Sequence, residues 1–187
     1  MSNSIQDLND LIHTLDLFRP LLDAVERCGN LMVDTFAAGN KILTCGNGGS
    51  TADALHLAEE LLGRYNLNRK PLPAISLSAD ASTLTCISND FGFEKVFSRQ
   101  LEALGKKGDI LVGFSTSGNS KNVIRAFENA KDMKITTICV GGKGGGTLGQ
   151  MADHSIIVPS DNTARIQEVH TFILHQWLEC IDQKFCF

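Results

Sequence analysis

The stretch Asp109-Ile-Leu-Val-Gly-Phe-Ser-Thr-Ser-Gly-Asn-Ser120, followed by a helical pattern over residues 121–131, decides the fold. A short apolar run that ends in a glycine and serine cluster and then becomes helical is typical of a strand, a loop and a crossover helix. The same order recurs along the chain, with candidate strands at 41–45, 74–77, 109–114, 135–140 and 155–158. This alternation predicts an α/β fold with a mainly parallel five-stranded sheet and helices on both of its faces.

Helical periodicity fills the gaps between these strands and continues at both ends of the chain. The predicted crossover helices span residues 51–64, 94–104, 121–131 and 147–152. Longer helical segments are expected at 5–37, with an interruption at Pro20, and at 164–184. We therefore expect a single domain over 1–187, in which a helical segment of about 5–37 precedes an α/β core of about 38–187.

The composition is typical of a globular protein rather than of a disordered or membrane protein. Of the 187 residues, 43% are hydrophobic and 20% are charged, and the formal net charge is -4. An acidic chain without clustered Lys and Arg is not expected to bind nucleic acid through its phosphates. The polar N-terminus has no signal-peptide pattern, and no later apolar run has the length of a bilayer span. We expect no membrane partner and a cytoplasmic location.

The cysteines favour a reducing environment over a disulfide framework. Six are present, at positions 28, 45, 86, 139, 180 and 186, and they form no Cys-x-x-Cys pair. Free thiols are therefore expected rather than disulfides or a zinc–thiolate site.

The first candidate ligand site is the loop after the first predicted strand, residues 46–50, called here the first loop. Glycines let a backbone approach a ligand closely, and the helix that follows offers free N–H groups to an anion. The loop is therefore a candidate ligand-binding loop. The alternative is a tight turn without a ligand, in which Ser50 and Asp53 form a capping pair.

The second candidate is the serine loop, residues 115–120, which again joins an apolar strand to a helix. Its four hydroxyl side chains belong to Ser115, Thr116, Ser117 and Ser120. Ligands of parallel α/β sheets bind at the carboxyl ends of strands, and a phosphate suits these hydroxyls. Neither loop has the Gly-Lys-Ser/Thr ending or the Gly-x-Gly-x-x-Gly spacing of a nucleotide site, so nucleotide cofactors are disfavoured.

His56 and Glu60 form a polar pair on the helix that the first loop opens. Residues four apart share a helix face, so both side chains could point at a ligand of the first loop. The competing interpretation is an ordinary ion pair on a solvated face.

The C-terminal helix carries a second polar pattern. Gln167, Thr171 and His175 lie at intervals of four and form one stripe, whereas His170 projects to another side. The alternative is a histidine satisfied in the core or at an interface. Apolar residues of 171–181 cover more than one side of this helix, which predicts burial against a second subunit as well as the sheet.

Together these segments resemble the sugar isomerase (SIS) domain family and, within it, the bacterial phosphoheptose isomerases. Five motifs occur in the family's order: Cys-Gly-Asn-Gly-Gly-Ser, Asp-Ala-Leu-His-Leu-Ala-Glu-Glu-Leu, Ser-Asn-Asp-Phe-Gly-Phe, Ser-Thr-Ser-Gly-Asn-Ser and Ala-Arg-Ile-Gln-Glu-Val-His. The resemblance covers about residues 5–185, and five motifs together are far more specific than one. It implies a three-layer SIS-domain sandwich and a homotetramer with active sites between subunits.

The resemblance also implies an activity and a set of site residues. Members of this family convert sedoheptulose 7-phosphate to D-glycero-D-manno-heptose 7-phosphate, the first step towards ADP- and GDP-heptose and the heptose of lipopolysaccharide cores. In each subunit zinc would be bound by His56, Glu60, Gln167 and His175, of which Glu60 and His175 would also be the catalytic proton-transfer pair. The implied substrate contacts are His56, Glu60, Gln167, Asn47, Gly48, Gly49, Ser50, Asn89, Asp90, Ser115, Thr116, Ser117 and Ser120.

These residue types suit the implied chemistry. Aldose–ketose interconversion removes a proton next to a carbonyl and moves another between two oxygens, for which a carboxylate and an imidazole can serve. Zinc polarises carbonyl groups and accepts nitrogen and oxygen ligands, although a glutamine ligand is unusual. A glutamate held firmly by zinc is a poorer base, so we hypothesise that Glu60 shifts during turnover.

One departure and two alternatives accompany this interpretation. Some family members carry an acid where this chain has Ala164, so no role of that acid transfers here. A non-catalytic SIS protein that binds a replication initiator or senses sugar phosphates would lack the acid at Glu60 and have an altered first loop. Another SIS enzyme, acting on a hexulose phosphate or an amino-sugar phosphate, would share the serine loop.

Overall fold

All five predicted strands are present and form one parallel sheet. The computed structural model describes residues 3–186. The strands are β1 (Ile42–Gly46), β2 (Ala74–Ser76), β3 (Ile110–Ser115), β4 (Thr136–Gly141) and β5 (His154–Ile157). Their order in the sheet is β2-β1-β3-β4-β5, and every neighbouring pair is parallel. Each predicted strand end lies within one residue of the observed end.

Eight α-helices within residues 3–186 surround the sheet. They are α1 (Ser4–Phe18), α2 (Leu22–Ala37), α3 (Gly49–Leu62), α4 (Ala81–Phe91), α5 (Ser98–Leu104), α6 (Lys121–Asp132), α7 (Gly146–Met151) and α8 (Thr163–Phe185). The interruption predicted at Pro20 is confirmed, since a 3-10 turn at Arg19–Leu21 separates α1 from α2. None of the helices between residues 3 and 186 combines the length and the apolar content that a membrane span requires.

Two parts of the α4–α5 region differ from the prediction. The helix predicted over 94–104 is a 3-10 turn at Phe93–Lys95 followed by α5. Helix α4 was not predicted, because hydroxyl and β-branched residues dominate its sequence and form helices poorly. It begins at a cap, in which Asp80 Oδ1 accepts the backbone N–H of Ser82 at 2.9 Å.

The core has two parts, one on each face of the sheet. Helices α2, α3 and α8 pack on one face and enclose buried residues such as Ile110 and Val112. Helices α5, α6 and α7 pack on the other face, where Leu111 points. Successive residues of β3 therefore serve opposite cores, as the alternation of side chains along a strand requires. The three-layer arrangement predicted for the sheet and its helices is confirmed.

The topology brings two loops together. Strands β1 and β3 are neighbours in the sheet although β2 lies between them in sequence, and Gly46 pairs with Phe114 at their carboxyl ends. The chain leaves β1 towards one edge and β3 towards the other, which is the switch point where open α/β sheets bind ligands. The first loop and the serine loop follow these two strands and so lie side by side.

A buried ion pair joins the end of α3 to α8. Arg69 Nε lies 2.9 Å from Asp182 Oδ1, and both side chains are almost fully buried, at 0% and 2% exposure. The Arg69 guanidinium also donates to the backbone carbonyls of Leu61 at 2.9 Å and Glu60 at 2.7 Å. A cation there satisfies carbonyls at the C-terminus of α3 and opposes the negative end of the helix dipole.

The connection after α3 is held by the same carboxylate. Asp182 Oδ2 accepts the backbone N–H groups of Asn66 and Leu67, each at 3.0 Å. With Arg69 on its other oxygen, the carboxylate has partners on both sides. The ion pair therefore fixes the end of α3, the following loop and α8 relative to one another.

Loss of one partner of this pair should be far more damaging than loss of a surface pair. We expect Asp182→Ala to lower the free energy of unfolding by about 3–5 kcal/mol, because Arg69 remains buried without a counter-charge. The double variant Arg69→Met/Asp182→Leu should lose less. Urea unfolding at one fixed protein concentration measures both.

The control is Asp16→Ala, which removes a pair with Arg19 whose side chains are 55% and 76% exposed. It should change the free energy of unfolding by less than about 1 kcal/mol. An equal loss in Asp16→Ala and Asp182→Ala would contradict the special role of the buried pair.

Candidate active site

The first loop makes a tight entry into α3. Gly48 is the N-cap and has φ 58° and ψ −125°, a backbone conformation that favours glycine. The backbone N–H of Ser50 donates to the carbonyl of Asn47 at 3.1 Å. The alternative of a capping pair between Ser50 and Asp53 is wrong, because Ser50 lies inside the first turn and Asp53 contacts Thr171 on α8. The start of α3 has no side-chain cap.

The serine loop is closed by its own hydroxyl groups. Ser115 Oγ lies 3.2 Å from Ser120 Oγ and accepts the backbone N–H of Gly118 at 3.2 Å. Ser120 is the N-cap of α6 but makes no side-chain cap hydrogen bond. The hydroxyls of Thr116 and Ser117 lie on a half-buried part of the loop. A loop with hydroxyl groups at an uncapped helix start suits an anion.

A reciprocal pair of amides ties the two loops together. Asn47 Nδ2 donates to Asn122 Oδ1 at 2.8 Å, and Asn122 Nδ2 donates to Asn47 Oδ1 at 2.9 Å. Asn122 is almost fully buried in the first turn of α6. Sequence reasoning did not select Asn122. Its only signal in the sequence was an amide two residues after the serine loop, at the start of the following helix.

The polar stripe of α8 meets α3 at three successive levels. Gln167 lies so close to Gly49 that a side chain at that glycine would collide with the Gln167 amide. One turn further, Thr171 Oγ1 donates to Asp53 Oδ1 at 3.3 Å. After another turn the rings of His175 and His56 lie 5.1 Å apart at an angle of 82°. The predicted stripe therefore faces the first loop and α3.

His56, Glu60 and His175 lie together at the last of these three contact levels between α8 and α3. His56 Nε2 is 3.6 Å from Glu60 Oε1. Ligand atoms of His56, Glu59 and Glu60 all lie within 4.8 Å of one another, so this group could hold a metal ion. Glu59 is exposed and was not selected from the sequence, since its position falls outside the four-residue spacing.

The environment of His175 favours its neutral form. Burial lowers the pKa of His175 and the neighbouring His56 lowers it further, while Glu60 and Glu179 oppose the shift. A neutral imidazole offers a nitrogen lone pair to a metal or a proton.

His170 lies in the core, which agrees with its projection to another side of α8. Its Nε2 is 3.2 Å from the carbonyl oxygen of Gly141, and its Nδ1 is 3.7 Å from Asp53 Oδ2. Within residues 3–186, Asp53 Oδ2 and His170 Nδ1 are buried without a hydrogen-bond partner and face each other. The pair adds a contact between α3, α8 and the end of β4.

Tyr65 is a third residue that sequence reasoning missed. It is the one tyrosine of the chain, and its ring stacks on His175 with centroids 5.5 Å apart and planes at 26°. Burial and the neighbouring Glu179 raise the pKa of Tyr65, so its phenol keeps its proton. Its only signal was its place three residues after the end of α3.

Asn89 and Asp90 do not join the other candidate residues within one protomer. Both are exposed at the end of α4. Asn89 Nδ2 donates to Asp90 Oδ1 at 2.8 Å, and Cys86 Sγ lies 3.8 Å from Asp90 Oδ2. Over the described range 3–186, their side-chain hydrogen bonds are confined to α4.

Comparisons with known proteins agree on one family. A family model described as the SIS domain matches residues 8–142. The phosphoheptose isomerase of Helicobacter pylori is 52% identical over 165 residues, which are 88% of this chain and 86% of that protein. That of Campylobacter jejuni is 51% identical over 161 residues, or 86% and 87% of the two chains. A solved phosphoheptose isomerase from Neisseria gonorrhoeae has a TM-score of 0.91 at 40% identity and covers 96% of this chain and 97% of that one.

The tight packing of the serine loop gives a test of its geometry. Gly118 has φ 63°, and a Cβ atom there would collide with the carbonyl oxygen of Gly145. We expect Gly118→Ala to lower the free energy of unfolding by about 1–2 kcal/mol for the backbone conformation and by about 1–3 kcal/mol more for the collision. Urea unfolding measures the sum.

Gly39→Ala is the matched control, because Gly39 has φ 75° with open space around its α-carbon. It should show only the conformational loss of about 1–2 kcal/mol. Equal losses in the two variants would mean that the serine loop yields to the extra methyl group, which contradicts the close packing.

Proposed function

The chain belongs to the SIS domain family, in the branch of the phosphoheptose isomerases, and we propose that it isomerises sedoheptulose 7-phosphate to D-glycero-D-manno-heptose 7-phosphate. This reaction is the first step towards ADP- and GDP-heptose. The observation that carries the proposal is the meeting of His56, Glu60 and His175 between two helices that pack against the first loop. A carboxylate and two imidazoles beside anion-binding loops suit proton transfer on a sugar phosphate.

The serine loop is the proposed phosphate site. Ser115, Thr116, Ser117 and Ser120 offer hydroxyl donors, and the uncapped start of α6 offers backbone N–H groups and the positive end of the helix dipole. The phosphate would anchor one end of the substrate. The carbonyl end would then reach α3 and α8 across the first loop, which is tied to the serine loop by Asn47 and Asn122.

The remaining proposed substrate contacts lie on four elements, which are the first loop, α3, α8 and α4. The backbone and side chains of the first loop can donate to sugar hydroxyls, and the side chains of α3 and α8 face the same region. These contacts are Asn47, Gly48, Gly49, Ser50, His56, Glu60, Gln167, Asn89 and Asp90.

The donor atoms on α3 and α8 are of types that zinc accepts, and ligand atoms of His56 and Glu60 lie within 4.8 Å of each other. We propose His56, Glu60, Gln167 and His175 as ligands, which offer nitrogen and oxygen atoms of the kind that zinc accepts. The lowered pKa of His175 supports this assignment, because a ligating imidazole must be neutral. When bound, zinc would polarise the substrate carbonyl as a Lewis acid.

Glu60 and His175 are the proposed proton carriers. The Glu60 carboxylate would take a proton from C1 of the ketose and return it to C2, with an enediolate between the two steps. The His175 imidazole would move a proton between the oxygens on C1 and C2. Glu60 would have to leave the metal to act as a base, and its side chain is a fifth exposed, which gives it room to shift.

We also propose a homotetramer with sites between subunits, although for a different reason than the sequence suggested. The apolar residues of α8, including Ile173, Trp177 and Ile181, are fully buried within one protomer. Within residues 3–186, four of the eleven exposed large apolar side chains lie on α1, where Ile5 is 73% and Leu8 57% exposed. A face of this kind marks an interaction surface. Within this proposal, Asn89 and Asp90, which are exposed on α4, would contact the substrate of a neighbouring subunit.

The proposal includes two broader statements. One continuous sheet contacts both apolar clusters, which supports a single SIS domain over 1–187. A cytoplasmic location follows from the substrate, because a phosphorylated sugar is too costly to desolvate to cross a membrane unaided.

Turnover by matched variants tests the activity. The parent protein should isomerise sedoheptulose 7-phosphate, lose activity on chelation and regain it with Zn²⁺. Glu60→Gln and His175→Ala should each lower kcat by about 10²–10⁴-fold, since each removes a proton carrier. Glu59→Gln is the comparison, because the Glu59 carboxylate lies beside His56 and Glu60 but is neither the proposed base nor one of the four proposed ligands.

Four outcomes would contradict parts of this assignment. Full activity of zinc-bound Glu60→Gln would exclude Glu60 as the base. An equal loss of kcat in Glu59→Gln would mean that activity depends on the local negative charge rather than on Glu60 itself. No product under any condition would favour the non-catalytic binding protein, and turnover of a hexulose phosphate or amino-sugar phosphate instead would favour another SIS enzyme.

The α1 surface gives a separate test of assembly. Leu8→Lys should lower the mass of the oligomer below that of a tetramer, because the lysine charge would have to be buried in the proposed interface. Sedimentation velocity measures this mass. Gln150→Lys, an exposed change on α7 at the opposite face of the sheet, should leave the tetramer intact. A Leu8→Lys protein that remains tetrameric would show that α1 is not the interface.

A further inference from the structure

The side-chain torsions of His175, on α8, do not by themselves fix the plane of its imidazole ring. The side chain is half-buried, and the outer torsion of a histidine is broad rather than confined to narrow wells. A ring nitrogen that binds a metal or transfers a proton must be held within about 0.5 Å and 10–20° of its working geometry. Contacts from neighbouring side chains must therefore set the plane of this imidazole.

Tyr65 supplies a contact that defines this plane. Its ring lies nearly parallel to that of His175, at 26° and 5.5 Å between centroids. His56, by contrast, meets His175 at 82°. Offset stacking is a favoured geometry for aromatic rings, and rotation of the imidazole out of the plane would lose it. Of these two neighbouring rings, Tyr65 is the one that lies along the imidazole face.

Tyr65 is itself held in place by the chain around it. Its ring packs against the apolar cluster under α3 and α8. The next two residues, Asn66 and Leu67, donate their backbone N–H groups to the buried carboxylate of Asp182. Asn66 Nδ2 also donates to Glu179 Oε1 at 2.8 Å, one turn after His175 on α8. The tyrosine thus lies on a segment that is anchored to the helix carrying its stacking partner.

We propose that Tyr65 is a positioning residue, which fixes the plane of the His175 imidazole for metal binding and proton transfer. This inference rests on the proposed function, in which His175 is a zinc ligand and a proton carrier. The aromatic ring does the positioning, and the phenol hydroxyl is not required for it. Residues that orient a metal-binding histidine typically change metal affinity or activity by about 10–100-fold when they are removed.

Two substitutions separate the ring from the hydroxyl. Tyr65→Phe keeps the stacking surface and should retain kcat and the Zn²⁺ dissociation constant within about twofold. Tyr65→Leu removes the ring and should lower kcat and weaken Zn²⁺ binding by about 10–100-fold each. The KM for sedoheptulose 7-phosphate should change by less than about threefold, because the serine loop is untouched. All values are taken per folded protein.

Phe185→Leu is the matched control for a purely structural effect. Phe185 lies ten residues beyond His175 on α8 and packs on Phe36, with ring centroids 6.2 Å apart. The substitution removes an aromatic ring from α8, the helix that carries His175, without touching the imidazole. Stability should fall in Phe185→Leu and Tyr65→Leu alike, whereas kcat per folded protein and Zn²⁺ affinity should fall only in Tyr65→Leu.

NMR of the full-length protein with labelled histidines gives a reading that needs no turnover. The stacked Tyr65 ring should displace the imidazole resonances of His175 through its ring current. That displacement should persist in Tyr65→Phe and in Phe185→Leu, and in Tyr65→Leu the nuclear Overhauser contacts between the rings of His175 and His56 should also weaken, because the imidazole no longer keeps one plane. If the parent protein turns over no sedoheptulose 7-phosphate, the proposed function fails, and these resonances alone decide whether Tyr65 positions the ring.

Three results would overturn the inference. The first is unchanged kcat, Zn²⁺ affinity and His175 resonances in Tyr65→Leu. The second is an equal loss in Tyr65→Phe and Tyr65→Leu, which would assign the effect to the hydroxyl. The third is a loss in Phe185→Leu as large as that in Tyr65→Leu, which would reduce the role of Tyr65 to general packing.

Discussion

The buried ion pair of Arg69 and Asp182 is the constraint on which the candidate site depends. The proposed ligands on α3 and those on α8 are more than a hundred residues apart in sequence, so the two helices must keep a fixed relative position. Arg69 binds the last carbonyls of α3 and a carboxylate of α8 at once. Since a buried unpaired charge is very costly, the helices cannot separate without loss of the whole arrangement.

The sheet supplies the other half of the site. Parallel pairing of β1 with β3 places the first loop beside the serine loop, and the amides of Asn47 and Asn122 join them. The contact of Gln167 with Gly49 then connects this edge of the sheet to α8. Two independent sets of contacts therefore converge: backbone geometry at the strand ends suits the phosphate, and the packed helices suit the reacting carbons.

Much of this was predictable from the sequence, and the failures have physical reasons. Apolar runs ending in glycine and serine located all five strands, and the spacing of Gln167, Thr171 and His175 located the face of α8 that meets α3. Helix α4 escaped because its hydroxyl and β-branched residues form helices poorly, although a side-chain cap starts it. Tyr65 and Asn122 escaped because single residues without a repeating pattern reveal their partners only after the chain folds.

The central claim is that one metal and one sugar phosphate meet between the first loop, the serine loop, α3 and α8. The most direct measurement is diffraction at the zinc absorption edge from crystals of the protein soaked with Zn²⁺ and sedoheptulose 7-phosphate. The account predicts an anomalous peak between His56 on α3 and His175 on α8, with the sugar phosphate group against the serine loop. A peak elsewhere, or a phosphate away from the serine loop, would contradict it.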